Sequence, residues 1–217
     1  MVPASAPFGQ QSIRIRLQWQ RPDGSLLNVR RWWLPLDDGL TLSGLNVVEK
    51  QDRSFDVPAV PHRVEANLEN KVLLLGYGPD SALDPHTGPL QLRPTACRPE
   101  SNQGCEISLQ LYWQGLEEMD IPYTVFFHVV DDRGQIVAQQ DRQPGPQGKD
   151  PTSGWLPGEV VIHPIRLQLP ESLAPGHYTL RAGMYGPPQG PRLFRLDQSG
   201  QQISDFVDID TITVAEP

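Results

Sequence analysis

Glu117, Glu118 and Asp120 crowd into one short segment between apolar runs, and Asp131-Asp132 opens a turn. A glycosidase uses carboxylates gathered in this way, provided two of them face one pocket and one has a raised pKa. Adjacent acids in turns also have a plainer role: they solvate the turn and cap strand ends. That reading suits these positions better, which leaves a hydrolase built from turn carboxylates as the third-ranked function. The histidines, His62, His86, His128, His163 and His177, are scattered, without the His-x-His or His-x-x-x-His spacing that aims two imidazoles at one metal. His128 falls in Phe126-Phe-His-Val-Val, where a hydrogen-bonded strand histidine is expected. In DFVDID, Asp208 and Asp210 share a strand face and could offer oxygen ligands to calcium if a loop added carbonyls. The alternative is a polar strand face with Val207 and Ile209 turned inward. No Gly-x-Ser-x-Gly elbow and no phosphate-cradling glycine loop occurs. The sequence therefore assigns no catalytic residue, no metal ligand and no cofactor.

Aromatic residues are the better binding candidates. Trp32 and Trp33 are consecutive within an expected strand, so their rings should point to opposite faces. One indole is then exposed unless both faces are covered. An exposed indole can stack on the apolar face of a sugar ring or dock one β unit on another. Trp155, between Ser153-Gly154 and Pro157-Gly158, is expected in a loop that caps one end of the core, and Tyr185, before Gly186-Pro-Pro, at a groove near the loop ends. Both join Trp32 and Trp33 as ligand-binding candidates. Cys97 and Cys105 bracket the polar loop ACRPESNQGC. A disulfide there would contribute about 2.6 kcal/mol by loop closure and imply an oxidising compartment; two free loop thiols are the alternative.

These residues need a scaffold, and the chain supplies a β one. The 23 prolines and 19 glycines fall between short alternating apolar runs rather than in one block, which punctuates strands and leaves no sustained helical period. Ile13, Ile15, Leu17 and Trp19 alternate with Arg14, Arg16 and Gln18 as a half-buried strand does. Further strands are expected at 72–76, 106–113, 123–131, 135–141, 160–169, 177–185, 192–196 and 207–214. The most telling stretch is Pro151–Tyr185: a strand, a proline-bounded crossover, then Ala174-Pro-Gly-His-Tyr178 opening the next strand. A tyrosine just after such a turn suits a tyrosine corner, whose hydroxyl returns to the backbone a few residues upstream. The expected fold is an all-β Greek-key sandwich of the immunoglobulin or fibronectin-III type, with a jelly roll as the alternative. Its expected organisation is a leader at 1–10, an N-terminal β unit at 11–60 and the sandwich at 61–217, with Phe55–Pro61 as the linker.

The ordered pieces Val72-Leu-Leu-Leu-Gly-Tyr77, Leu109-Gln-Leu-Tyr-Trp113, Tyr123–Asp131, Pro151-Thr-Ser-Gly-Trp155-Leu-Pro-Gly-Glu159, and Pro175-Gly-His-Tyr178 through Tyr185 carry a resemblance. Over residues 64–214 the chain resembles the soluble β-sandwich domain at the C-terminal end of some bacterial polytopic membrane glycosyltransferases. Those enzymes are similar to the lipid-phosphate-sugar-dependent mannosyltransferase type. The resemblance implies an extracytoplasmic accessory domain that binds or positions glycan, partnered by a membrane domain that does the catalysis. It carries transferase activity to no residue of this chain, which departs from the pattern in having no membrane segment. A structural or protein-interaction module without sugar binding is the rival expectation.

Charge and hydropathy narrow the alternatives. The net charge is −8 and no basic stripe is present, which disfavours a nucleic-acid partner. No run reaches the roughly 18 apolar residues of a membrane span, so membrane insertion is not expected. MVPASAPFGQQ lacks the basic and apolar regions of a signal peptide, so the chain is expected to be soluble as given.

Overall fold

Alternating apolar residues build two antiparallel sheets that face each other. The computed structural model describes residues 50, 52–80, 106–170 and 173–214 with their side chains; for 9–16, 19–20, 26–27, 30–31, 34–35 and 39–47 it describes the backbone alone. Trp32, Trp33, Cys97 and Cys105 lie outside the described residues. The chain divides into two units, Ser5–Asp52 and Arg53–Pro217. In the first, β1 (Gly9–Arg16) pairs with β6 (Gly39–Val47), and two short pairs join β2 (Trp19–Gln20) to β3 (Leu26–Leu27) and β4 (Arg30–Arg31) to β5 (Leu34–Pro35).

The second unit holds β7 (His62–Leu68), β8 (Val72–Pro79), β9 (Glu106–Gly115), β10 (Thr124–Val130), β11 (Ile136–Arg142), β12 (Val160–Gln168), β13 (Gly176–Tyr185), β14 (Arg195–Leu196), β15 (Gln202–Ser204) and β16 (Val207–Val214). One sheet runs β12-β9-β8-β7-β14-β15 and the other β11-β10-β13-β16. The chain changes sheet after β9, β11, β12, β13 and β15, which is the Greek-key pattern. With β8, β9 and β12 opposing β11, β10, β13 and β16, the arrangement is the fibronectin-III one, and β7 with the β14–β15 hairpin extends the first sheet. The strands expected from residue 72 onward are all present within a few residues, whereas the single strand expected across Trp32-Trp33 is not: β4 and β5 pair with each other on either side of those residues. β7 and β15 were not expected; β7 is bulged between Arg63 and Ala66, and its Glu65 has φ 54°.

Leu109, Leu111 and Trp113 of β9, Val125, Phe127 and Val129 of β10, Val161, Ile165 and Leu167 of β12, and Leu180, Ala182 and Met184 of β13 interdigitate between the sheets, all nearly or fully buried. Each large side chain of this kind contributes about 1.5–3 kcal/mol. The Tyr178 hydroxyl donates to Ala174 O at 2.7 Å, tying the start of β13 to the crossover that precedes it. A smaller cluster, Val60, Leu75, Tyr112 and Val160, lies outside the six-stranded sheet. Residues before β7 reach it because Gly76 and Gly78 are bare: a Cβ on Gly76 would fall 2.0 Å from His62 O and one on Gly78 2.9 Å from Pro61.

One end of the sandwich is closed by the segment between β11 and β12. Trp155 is 1% exposed and its indole donates to Asp150 O at 2.8 Å. Thr152 Oγ1 accepts from Tyr123 N at 2.8 Å and donates to Ile121 O at 2.9 Å. Glu159, also 1% exposed, forms an ion pair with Arg53 and accepts from Leu156 N at 3.0 Å. Arg53 also donates to Gly154 O at 3.0 Å. Arg53→Met should lower stability by roughly 3 kcal/mol, because it takes the guanidinium from a buried carboxylate, and Arg53→Met with Glu159→Gln should recover part of the loss. Urea unfolding of the three proteins checks both.

His163, on the inner face of β12, is fully buried. Desolvation, reinforced by the Arg142 charge and only partly opposed by the Gly145 backbone, brings its pKa down to about 4. The unfolded chain takes up this proton near pH 6.5, before the folded one does. The histidine therefore has no effect on stability above that pH and erodes it as pH falls towards 4, by roughly 3 kcal/mol in total. Unfolding free energy measured from pH 7 to 4 should show this loss in the wild type and a flatter acid limb in His163→Phe.

Candidate functional site

On β10 the residues facing the core, Val125, Phe127 and Val129, alternate with Thr124, Phe126 and His128, which face out from the four-stranded sheet. An outward phenylalanine and histidine would normally meet solvent, yet Phe126 is 0% and His128 4% exposed. Two features bury them. Gly183 stands opposite Phe126 in the register, and a Cβ there would fall 2.4 Å from Phe126 Cζ, so the ring lies flat over bare backbone. Arg192, from the loop after β13, then covers the ring, its guanidinium carbon 4.4 Å from the centroid.

Around this ring sits a polar set. His128 Nε2 is 3.4 Å from Asp141 Oδ1, and the Tyr185 hydroxyl donates to Asp141 Oδ2 at 3.2 Å. The His128 ring tilts against Phe126 at 4.7 Å, and Tyr185 stacks near the same ring at 6.4 Å. Arg192 forms an ion pair with Asp205 at 3.3 Å. Arg181, opposite His128 in the register, pairs with Asp208 at 2.8 Å and lies 3.5 Å over the Phe206 ring. The face thus presents two Arg–Asp couples, each seated on an aromatic ring, beside a tyrosine–carboxylate bond.

Burial holds the His128 pKa below its ordinary value; Asp141 opposes that effect, while Arg192 and Arg181 reinforce it. The imidazole is therefore neutral at pH 7. Burial also raises the Tyr185 phenol, with Asp141 adding to the effect. Among the described residues no hydroxyl or thiol is hydrogen-bonded to His128, whose one polar side-chain contact is Asp141. The face offers paired hydrogen-bond donors and acceptors beside the Tyr185 ring.

The sequence candidates separate clearly. Tyr185 belongs to this face. Trp155 is walled into the end of the sandwich and offers no ring face to a ligand. Trp32 and Trp33 lie outside the described residues. Glu117, Glu118 and Asp120 are exposed in the turn after β9, and Asp131 caps its turn by accepting from Arg133 N and Gln135 N. The acids of DFVDID are each engaged, Asp205 with Arg192, Asp208 with Arg181 and Asp210 with the Tyr77 hydroxyl at 2.6 Å. No group of three potential metal ligands gathers among the described residues, and no helix among them is long and apolar enough to cross a membrane. Phe126, Arg181 and Arg192 went unnoticed in the sequence; the one available signal was Gly183, a glycine interrupting an otherwise filled strand.

No protein-family model matches the chain, and no curated protein matches it.

Gly183→Ala should lift Phe126 off β13 and loosen the Arg192 cover, costing about 1–3 kcal/mol by overpacking. Chemical denaturation gives the cost, and altered ring-current shifts at His128 and Arg192 would place the disturbance on this face.

Proposed function

We propose that this chain is a non-catalytic accessory β-sandwich that binds or positions glycan for a membrane glycosyltransferase system on the extracytoplasmic side. The observation that carries the reading is the outer face of the four-stranded sheet, where Asp141, Asp205, Asp208, Arg181 and Arg192 surround Tyr185 above the buried Phe126 ring. Sugars offer vicinal hydroxyls, which carboxylates and guanidinium groups bond in pairs, and a C–H face that packs on an aromatic ring. The couples are already formed, so a ligand would meet preorganised donors and acceptors and little side-chain entropy would be lost. The resemblance of the ordered motifs to accessory domains of membrane glycosyltransferases supports the setting, while the choice of glycan rests on the geometry of this face. The partners are then glycan and a membrane glycosyltransferase domain.

A saccharide panel titrated against intrinsic tryptophan fluorescence and NMR shifts tests this reading. Saturable binding is expected, weakened roughly tenfold or more in Tyr185→Ala and Asp208→Asn, about the loss of one good polar contact. Loss confined to Trp32→Ala or Trp33→Ala would move the binding platform to the N-terminal unit. Folded protein that binds no saccharide would leave a structural or protein-interaction module as the better reading.

A further inference from the structure

At the seam between β11 and β12 the two sheets come together along their edges. Arg142 Nη2 donates to Pro164 O at 2.8 Å, and the Gln140 amide oxygen accepts from Arg166 N at 3.2 Å. Just inside this stitching, polar groups lie buried without partners: both ring nitrogens of His163 and Arg142 Nε. Trp113 Nε1 is a further one, on the same inner face and diagonal to His163, since Trp113 pairs with Val161 and Leu111 with His163. Burying such groups unsatisfied is costly, and a structure normally answers each of them.

We propose that this seam binds ordered water, held between His163 and Arg142 beneath the Pro146–Gly148 turn. The mixture of donors and acceptors selects the occupant. Neutral His163 offers one N–H and one lone pair, and Arg142 Nε–H donates. A metal cation would be repelled by the guanidinium and could not use the N–H groups. An anion would satisfy the donors but face the imidazole lone pair. The Asp150 carboxylate, pressed against Gly145 so closely that a Cβ there would fall 2.1 Å from its Oδ2, disfavours an anion further. Water both donates and accepts, and so answers all of these groups. The Gly145 backbone approaches the His163 ring near enough to influence its charge, but makes no hydrogen bond of normal geometry with it. On the turn side, Gly148 leaves room for the Arg142 stem, a Cβ there meeting Cγ at 3.3 Å.

Water-to-protein cross-relaxation in the full chain, isotope-labelled at histidine and arginine, tests the site directly. Cross-peaks from water to the His163 ring and Arg142 Hε are expected in the wild type. Water relaxation dispersion should lose one long-lived water in His163→Phe or, should that variant not fold, in Arg142→Met. A through-bond coupling from a His163 nitrogen to a backbone carbonyl, with no water cross-peak, would overturn the proposal. So would His163 resonances that shift and saturate with added chloride or phosphate, because they would make the occupant an anion.

Discussion

The buried carboxylate of Glu159 is the constraint on which the sandwich depends. A charge in an apolar interior must be paired and hydrogen-bonded, and Glu159 meets that demand with Arg53 and with Leu156 N. The same residue donates from its backbone N–H to Leu156 O and accepts Gly115 N at its own carbonyl, while Gly158 N returns to Gly115 O. One glutamate thus fixes the residues before β7, the end of β9 and the start of β12. Trp155 is seated by that arrangement: Gly115 has no side chain to push Leu156 away, and the indole closes the core where β9 leaves it. With the end closed, Thr152 can take Tyr123 N and Ile121 O, which sets where β10 begins. The position of β10 in turn decides which of its residues face out.

The outer face of the four-stranded sheet follows from one missing side chain. Gly183 weakens β13 by its own propensity, but it lets Phe126 lie on the backbone, and an arginine over that ring makes a dry floor beneath polar groups. His128 is neutral because it sits beside that floor with two arginines in range, despite Asp141 at 3.4 Å. Charged groups above and an apolar layer below are what keep the Arg–Asp couples rigid. Exposed pairs on flexible stems would contribute little.

The β architecture was legible because strand alternation and turn chemistry are local. Ile107, Leu109, Leu111 and Trp113 are written into the chain at a period of two, and Pro175-Gly176 announces the turn before Tyr178. β7 does alternate, in Val64, Ala66 and Leu68, but over too few residues to stand out beside the Pro-rich stretch before it, and β15 was hidden because three residues carry no pattern. The outer face was legible only at Tyr185. Which face Phe126 and His128 take was not legible, because a run of six buried residues on β10 looks the same from sequence whether the second side is covered by a sheet or by a single arginine. Arg192 comes from a loop, and nothing local says which ring it will cover.

The motifs that carry the resemblance to accessory domains turn out to be the ones that build the sandwich. Trp113 is core, Trp155 and Glu159 close its end, Tyr178 ties the crossover, and Tyr77 anchors Asp210. Residues under such packing constraints recur wherever the same closure is used, whatever the domain binds. The polar set around Tyr185 is under no comparable constraint, since Asp141, Asp205 and Asp208 could each be replaced by another polar residue without opening the core. Chemistry placed where packing does not require it is the stronger pointer to use. The case for glycan contact therefore rests on the geometry of that face, and the motifs argue only for the scaffold beneath it.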